Sequence, residues 1–550
     1  MKTQFDFLAK MFPRAPILAI AIVVVGVVPS AFADKLKCYD LDMSYRQILL
    51  DDFVVDTYTA HNVEKVYHQA KSFGQSVLEA TFAYEKDWHR LDNPCVWWDP
   101  VEKKYRMWYW GLIRTRDQDG RARWKSPIGY AESDDGLNWQ KPILGNVEYN
   151  GDGGKNNIVT DEFMTPQALP LPEPDAEGNR IRFYEQHTYR MMGSKDGRTP
   201  GKIVQLKLPP FPNEEFYRRM VGRGAPKDGG RWMWDPQEQV YRMSVKLQGL
   251  VPGSQNPNQF RRILGLASSN DGIEWQWAHF PLMPDLKDDE FVSRLPERKN
   301  KSVPAHAEFE QMAMFRYQGV VIGYANTLYF YDEYITKHNS GANTGVHLVW
   351  SRDGVNWQRP TERYQLFPTP IGTPYWGMCK GAGSLPPLRM GKELWIYRDV
   401  AEGGTNNLYK PPKQKWLTLS TLRTDGWAGY RAGNQWGHIT TQFLKADGKL
   451  RVNADCTDGE MRIEVIEAGE RRAYFRPRKE VIPGFSKDDC LPITGDVYDA
   501  EINWSDAKWS TLNGKWVALR IHLKNATIYS FRTNGESPVQ WDSGQSARAE

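Results

Sequence analysis

One short pattern occurs three times in the chain, and this repeat constrains the fold more than any other feature of the sequence. The copies read Ser-x-Asp-Gly-x-x-Trp and lie at 133–139, 269–275 and 351–357. Asp followed by Gly favours a tight hairpin turn, because Gly accepts a positive φ and Asp bonds its own backbone. Each copy therefore predicts a strand that ends in a turn, with the Trp packing back on the sheet.

Two weaker copies extend the series, at 194–197 without the Trp and at 423–427 with the Trp displaced. Successive intervals of 61, 75, 82 and 72 residues separate the five aspartates of the series, which are Asp135, Asp196, Asp271, Asp353 and Asp425. Five such units predict an all-β fold, a five-bladed β-propeller whose four-stranded blades surround a central channel. Residues from about 80 to 430 are predicted to form the blades, with the strong copies in equivalent outer turns.

A second repeat positions the first hairpin of a blade. Residues 98–107 and 234–243 both read Trp-Asp-Pro-x-x-x-x-Tyr-Arg-Met. This arrangement is typical of a strand, a turn and a second strand. Asp99 and Asp235 are therefore predicted to be structural turn residues.

The repeat stops near residue 430, and short segments of polar and apolar alternation follow. They include 449–453, 461–465 and 516–522. Alternating strands at this spacing predict a β-sandwich. The predicted domains are thus a signal peptide at 1–33, the propeller with any catalytic site at 34–430, and an accessory β-sandwich at 431–550.

The N-terminus has the three regions of a secretory signal peptide. Three basic residues precede or border an apolar run at 17–28, and Ala31-Phe32-Ala33 offers small residues at a cleavage site. The apolar run is shorter than the ~20 residues that span a bilayer. We therefore expect a secreted or periplasmic protein that begins at Asp34, with no membrane span after signal removal.

Charge and cysteine content argue against several classes of ligand. The formal net charge of +4 falls to +2 without residues 1–33, which carry three bases and one acid, so no nucleic-acid partner is indicated. None of the five cysteines forms a C-x-x-C pair, and the histidines lack ligand spacing. We expect no metal and no cofactor. Cys456 and Cys490 share one predicted domain, so the question whether they form a disulfide stays open.

Acidic residues precede the innermost strands of three predicted blades. Asp92 and Asp228 each lie seven residues before a turn aspartate, and Glu308 and Glu310 precede the apolar strand of blade four. Alternate residues of a strand share a face, so the two glutamates are predicted to face the channel together. Cleavage of a glycosidic bond needs one carboxylic acid and one carboxylate. Each of these acids also has a simpler interpretation as a turn cap or a solvated group.

The Asp92-Asn-Pro opening, the repeated hairpins and the terminal module together resemble the five-bladed-propeller glycoside hydrolases of families 32 and 43. The similarity covers nearly all of the mature chain and includes the run from Pro483 to Phe531, which resembles the sandwich of family 32. It implies cleavage of a poly- or oligosaccharide. It further implies an ionised Asp92 as nucleophile or base, Asp228 as transition-state stabiliser, and a protonated Glu308 or Glu310 as general acid.

The sequence also departs from those families. It lacks their Trp-Met-Asn-Asp-Pro-Asn-Gly and Arg-Asp-Pro motifs, and blade five offers residues 376–378 without an acid. Two alternatives therefore stay open. One is a non-catalytic glycan-binding propeller, and the other is a glycoside phosphorylase, whose phosphate pocket could draw on Arg398 and Lys380.

Five further residues are candidates for contact with a carbohydrate. Aromatic rings stack on sugar rings, whereas most tryptophans here occupy repeat positions that blade packing explains. Three candidates are tryptophans outside those positions, namely Trp97, Trp110 and Trp376. The other two are polar residues near predicted strands, His306 and Arg398. The sequence makes no prediction of oligomeric state.

Overall fold

The computed structural model has an all-β fold, as the repeats predict. The described residues are 41–87, 91–111, 113–116, 122–208, 229–250, 260–277, 282–296, 298, 301–302, 304–331, 343–368, 377–378, 385–402, 415–467 and 480–533. Within them no helix is both long and apolar enough to cross a membrane. The expected signal peptide, Asp228, Trp376 and Lys380 lie outside the described residues.

The first described residues form short elements. A 3₁₀-helix covers Thr57–Thr59, and the strands are β1 (Gln47–Ile48), β2 (Glu64–Tyr67) and β3 (Lys71–Leu78). Helix α1 (Ala83–Asp87) then leads into the first blade.

Five antiparallel sheets follow and confirm the five blades. Blade one contains β4 (Leu91–Asp99), β5 (Lys104–Gly111), the separate hairpin of β6 (Ile113–Arg116) and β7 (Ala122–Lys125), then β8 (Ile128–Ser133) and β9 (Ile158–Thr160). Blade two contains β10 (Pro166–Pro170), β11 (Ile181–Glu185), β12 (Arg190–Ser194) and β13 (Ile203–Gln205). Blade three contains β14 (Arg231–Asp235), β15 (Val240–Leu250), β16 (Phe260–Ser269) and β17 (Gln276–Trp277).

Helix α2 (Leu286–Ser293) lies between blades three and four in the chain. Blade four contains β18 (His306–Tyr317), β19 (Val320–Phe330) and β20 (Asn343–Ser351). Blade five contains β21 (Gly377–Met378), β22 (Leu388–Met390), β23 (Glu393–Glu402) and β24 (Lys415–Arg423).

The strong copies of the repeat form equivalent turns after the third strand of a blade, as predicted. In blade one the N–H groups of Leu137 and Asn138 each donate to Asp135 Oδ1 at 2.8 Å. Asp271 and Asp353 accept the same pair of backbone bonds. Burial raises the pKa of Asp135, but the hydrogen bonds that it accepts outweigh burial and lower the pKa to about 2.

These turns also join neighbouring blades, because a side chain of one blade donates to a turn carbonyl of the next. The pairs are Arg106 with Asp196, Arg182 with Asp271, Arg242 with Asp353, and Tyr397 with Gly136. The last pair joins blade five to blade one and so closes the ring.

Asp99 and Asp235 lie in the turns between the first and second strands of their blades, which confirms the prediction for both. Asp99 accepts from the Val101 N–H at 2.9 Å and from Arg106 Nη1 at 2.9 Å. Asp235 accepts from Arg242 Nε at 3.0 Å in the same way. Both aspartates are fully buried, so their charge holds the hairpin together.

Strand β3 pairs with β24 and completes blade five from the N-terminal side of the propeller. The closure brings Ser76 opposite Thr418. The blades therefore begin at Lys71 rather than near residue 80. This edge strand comes from the other end of the chain and contains no copy of the repeat, so the repeat could not predict it.

The C-terminal part forms a nine-stranded antiparallel sheet together with β1 and β2. Its own strands are β25 (Ala428–Ala432), β26 (Gly437–Thr440), β27 (Leu444–Lys445), β28 (Arg451–Glu467), β29 (Ile493–Glu501), β30 (Trp516–Lys524) and β31 (Ala526–Arg532), with a 3₁₀-helix at Trp509–Leu512. Strand β28 pairs with β29 and β31 through its first half and with β30 through its second half. Val452 and Val465, from the two halves, share one buried core, so the sheet folds over on itself as a β-sandwich.

Strands β1 and β2 pair with β31 and β25, so residues before the propeller also belong to the terminal sheet. The domain boundary near residue 430 stays a prediction. Within the described residues Cys456 and Cys490 are separate buried thiols, which answers the open question of a disulfide. Burial raises the pKa of Cys456 to about 12 and of Cys490 to about 11.

Candidate active site

The innermost strands of blades one to three begin side by side at one end of the central channel, which we call the channel mouth. Asn93 near the start of β4 donates from Nδ2 to the carbonyl of Pro166, the first residue of β10, at 3.0 Å. Gln167 donates to the carbonyl of Trp232 in β14 at 2.6 Å and accepts from the N–H of Trp232 at 2.9 Å. Side chains at these strand starts therefore converge at the mouth.

Asp92, the first predicted catalytic residue, lies at the start of β4 and is completely buried. The register of β4 on β5 shifts between Asp92 and Cys95, and Asn93 adopts a φ of 52°. Asn tolerates this left-handed conformation better than most residues, and a bulge redirects nearby side chains. Trp110 stands directly opposite Asp92 on β5 and is also buried. Trp110 therefore lies next to the acid, and its contact with a sugar stays a prediction.

Arg231, the first residue of β14, places a fully buried cation among the acids. Burial lowers the pKa of Arg231, and the charges of Asp92, Asp399 and Glu310 act in the opposite direction. Electrostatic influence falls with distance, so these groups lie near one guanidinium. The charges of carboxyl groups in blades one, four and five therefore act on one arginine of blade three.

Glu308 lies on β18 and is held by two basic side chains. It accepts from Arg262 Nη1 at 2.6 Å, and its Oε1 lies 3.4 Å from Nε2 of His306. The imidazole of His306 stacks on Phe330 with ring centroids 4.6 Å apart, which fixes its orientation. Burial raises the pKa of Glu308, but His306 and Arg262 outweigh burial and lower it. This result disagrees with a protonated Glu308, because both contacts favour its charged form.

Glu310 reaches the same guanidinium as Glu308. Its Oε1 accepts from Lys246 Nζ at 2.9 Å, and its Oε2 lies 3.3 Å from Arg262 Nε. The register of β18 on β19 shifts between Phe309 and Gln311, so Glu310 is the bulged residue. Both glutamates meet at Arg262 as strand alternation predicts, and the opposite side chain, Phe309, is buried in a hydrophobic cluster.

Blade five contributes an acid that the sequence analysis missed. Asp399 on β23 is almost completely buried, and its charge reaches Arg231. The sequence analysis considered only residues 376–378 of this blade, which contain no acid. A charged pair, Arg398-Asp399, interrupts an otherwise apolar strand at 394–400, and this interruption was the signal available in the sequence.

Two of the predicted contact residues lie in packed surroundings instead of at the mouth. Trp97 belongs to the core between blades one and two, and the guanidinium of Arg180 lies 5.7 Å from its ring centroid. Arg398 is completely buried, donates to Ser420 Oγ at 2.8 Å and stacks over Phe367. Both side chains face neighbouring blades, so they offer no open surface to a sugar.

The described residues place four carboxyl groups and three cations at the mouth. The carboxyl groups are Asp92, Glu308, Glu310 and Asp399, and the cations are Arg231, Lys246 and Arg262. No set of three or more His, Cys, Asp and Glu in the described part of the chain is placed to hold a metal ion.

No protein-family profile matches the chain, and no curated protein sequence matches it significantly. Solved structures similar to it include a glycosyl hydrolase from Bacteroides ovatus, with 12% identity over 69% of this chain and 97% of that chain and a TM-score of 0.35. A family 117 glycoside hydrolase from Zobellia galactanivorans has 12% identity over 66% and 90%, with a TM-score of 0.33. A beta-1,2-mannobiose phosphorylase from Listeria innocua has 9% identity over 69% and 96%, with a TM-score of 0.34. Similarity at this level carries no argument about function, and the fold assignment rests on the strand pairing above.

Proposed function

We propose that the protein hydrolyses a glycosidic bond of a poly- or oligosaccharide at the channel mouth. The observation that carries this proposal is the set of carboxyl groups that act on Arg231, which are the buried Asp92 and Asp399 and the half-buried Glu310. Glycoside hydrolysis uses a carboxylic acid to protonate the leaving oxygen and a carboxylate to act on the anomeric carbon or on water.

Asp92 is the carboxylate that acts as base or nucleophile in this proposal. Among the acids around Arg231, Asp92 has the largest effect on the arginine. Trp110, opposite Asp92 on β5, is the aromatic residue that lies next to this acid.

The contacts at the mouth favour hydrolysis over phosphorolysis. A phosphorylase needs cations that are free to bind phosphate, whereas Lys246 and Arg262 are engaged by Glu308 and Glu310. Arg398, the phosphate ligand considered from sequence, faces Phe367 in the core.

The direct test is the Asp92→Asn variant, assayed on a panel of plant and algal oligosaccharides. We expect turnover to fall by at least about 100-fold, because the amide cannot act as base or nucleophile. Asp134→Asn is the matched control, since Asp134 is an exposed acid in the same blade. Calorimetric sugar binding and the melting temperature should persist in both variants.

Two results would contradict the proposal. Unchanged turnover in Asp92→Asn would remove Asp92 from the mechanism. Saccharide binding by the parent protein without turnover on any member of the panel would favour the non-catalytic glycan-binding alternative. We also propose export from the cytoplasm, since residues 1–33 have the form of a cleaved signal.

A further inference from the structure

We propose that Gln186 binds the saccharide at the channel mouth, by donating a hydrogen bond from its Nε2 to a hydroxyl oxygen of the sugar. The inference rests on the proposed glycosidic hydrolysis and identifies a residue that selects among substrates at the same site. Gln186 directly follows Glu185, the last residue of β11 in blade two. Its direction, its position and an amide donor without an acceptor each support this role.

The alternation of side chains along β11 directs Gln186 toward blade three. Tyr184 stacks on Trp232 of blade three with ring centroids 5.0 Å apart. Phe183 lies on the opposite face, against a tryptophan of blade one. Gln186 shares the face of Tyr184, because alternate residues of a strand point the same way. In agreement, Oε1 of Gln186 accepts from the N–H of Gly229, two residues before β14, at 3.0 Å.

Gly229 brings the Gln186 amide close to two charged residues of the mouth. A Cβ atom at Gly229 would lie 2.7 Å from the carbonyl oxygen of Glu310 and 2.8 Å from Cβ of Lys246, so only glycine permits this approach. The side chains of Glu310 and Lys246 form an ion pair at 2.9 Å and are 20% and 14% exposed. Solvent therefore reaches this part of the mouth, next to the backbone group that holds Gln186.

The other side of Gln186 leads to the first predicted catalytic residue. Glu185 pairs with Pro166 at the start of β10. The carbonyl of Pro166 accepts from Asn93 Nδ2 at 3.0 Å, and Asn93 directly follows Asp92 in the chain. Gln186 therefore lies between the strand start that carries Asp92 and the charged side chains of blades three and four.

The amide of Gln186 keeps one donor for a ligand. A backbone N–H can only donate, so the bond from Gly229 fixes Oε1 as the acceptor and identifies the other amide atom as Nε2. The residue is 3% exposed, and among the described residues no acceptor lies within hydrogen-bond distance of Nε2. Buried polar groups are hydrogen-bonded as a rule, because an unpaired one is unfavourable. A sugar hydroxyl supplies the acceptor, and a sugar without that hydroxyl does not.

Gln167 of the same blade shows what a purely structural glutamine does at the mouth. Its Nε2 donates to the carbonyl of Trp232 at 2.6 Å, and its Oε1 accepts from the N–H of Trp232 at 2.9 Å. Both ends of that amide are used between two blades. Gln186 uses only its oxygen in this way, so its nitrogen is the group that distinguishes the two residues.

The test combines the Gln186→Glu variant with monodeoxy analogues of an oligosaccharide from the panel that the parent cleaves. Glutamate keeps an oxygen for the Gly229 N–H and replaces the donor by an acceptor. We expect kcat/KM for the intact oligosaccharide to fall by about 10- to 100-fold. One monodeoxy analogue should lose a similar factor with the parent and at most about threefold more with the variant, since one hydrogen bond is removed only once. Gln237→Glu, at an exposed glutamine in the turn after β14, is the matched control and should leave kcat/KM unchanged.

The outcomes separate this inference from the proposed function. Unchanged kcat/KM in Gln186→Glu would overturn the inference and leave the proposed hydrolysis standing. Losses from the variant and from every analogue that simply multiply would also overturn it, because Gln186 then acts on the fold and not on the sugar. A parent that cleaves nothing contradicts the proposed function, and calorimetric affinities for the panel then test Gln186 separately. Equal affinities of parent and variant, or no binding by either, would overturn the inference. If Gln186→Glu does not fold, Gln186→Met, which also lacks the donor, carries the same expectation.

Discussion

Two aspartates of the repeat, Asp135 and Asp425, differ in their burial and in their hydrogen-bond partners. Asp135 is exposed and caps its own turn, whereas Asp425 is buried and accepts from Tyr317 Oη at 2.6 Å and from Ser530 Oγ at 2.5 Å. Ser530 belongs to the terminal sheet, and Nε of the buried Arg46 lies 3.4 Å from Asp425. The fifth copy of the repeat thus fixes the propeller to the terminal sheet instead of capping an outer turn.

This difference predicts unequal costs of removing the two carboxylates. Asp425→Ala removes a carboxylate that faces the buried Arg46 guanidinium. We therefore expect a decrease of about 3–5 kcal/mol in the free energy of unfolding. Asp135→Ala removes a turn cap and should cost about 1 kcal/mol without changing sugar turnover. Urea unfolding of the two variants measures both values. An equal or larger loss in Asp135→Ala would contradict the assigned contacts.

At the scale of residues, the sequence predicted acids where strands begin and missed those whose role depends on distant strands. Asp92 and the blade-four glutamates follow from strand phase, which is local. Arg231 and Asp399 become part of the site only because five blades close into a ring. Their neighbours in the folded protein are far away in the chain, so a local pattern, such as the charged pair in β23, can mark the residue but cannot identify its partners.

At the scale of elements, β3 shows the same limit. The Thr418 hydroxyl donates to the Gln75 carbonyl at 2.7 Å, although the two residues are 343 positions apart. The turns and most blade strands were predictable, because each hairpin carries its own Asp-Gly signal. The strand that closes the ring has no such signal, and its polar sequence gives it no buried run.

The closure by β3 predicts the effect of shortening the chain. A protein that begins at Glu79 lacks β1, β2 and β3, which exposes the edge of β24 to solvent and to other molecules. We expect aggregation on size-exclusion chromatography and loss of a cooperative thermal transition. A protein that begins at Asp34 retains all three strands and serves as the control. A monomer with the same melting temperature after removal of β3 would show that closure adds no stability.

At the scale of the whole molecule, the propeller and the terminal sheet are joined at both ends of the chain. The segment before blade one supplies β1 and β2 to the terminal sheet and β3 to blade five. Arg423, at the end of β24, donates through Nε to Asn453 of β28 at 2.7 Å and adds a second link. The candidate site lies in the propeller, where the inner strands begin, so its geometry depends on ring closure.

The most direct test of this account is a crystal structure of the Asp92→Asn variant with an oligosaccharide that the parent protein cleaves. We predict that the scissile bond lies at the channel mouth, with the anomeric carbon facing residue 92. A saccharide bound only on the terminal sheet, or with its scissile bond out of reach of residue 92, would contradict the account.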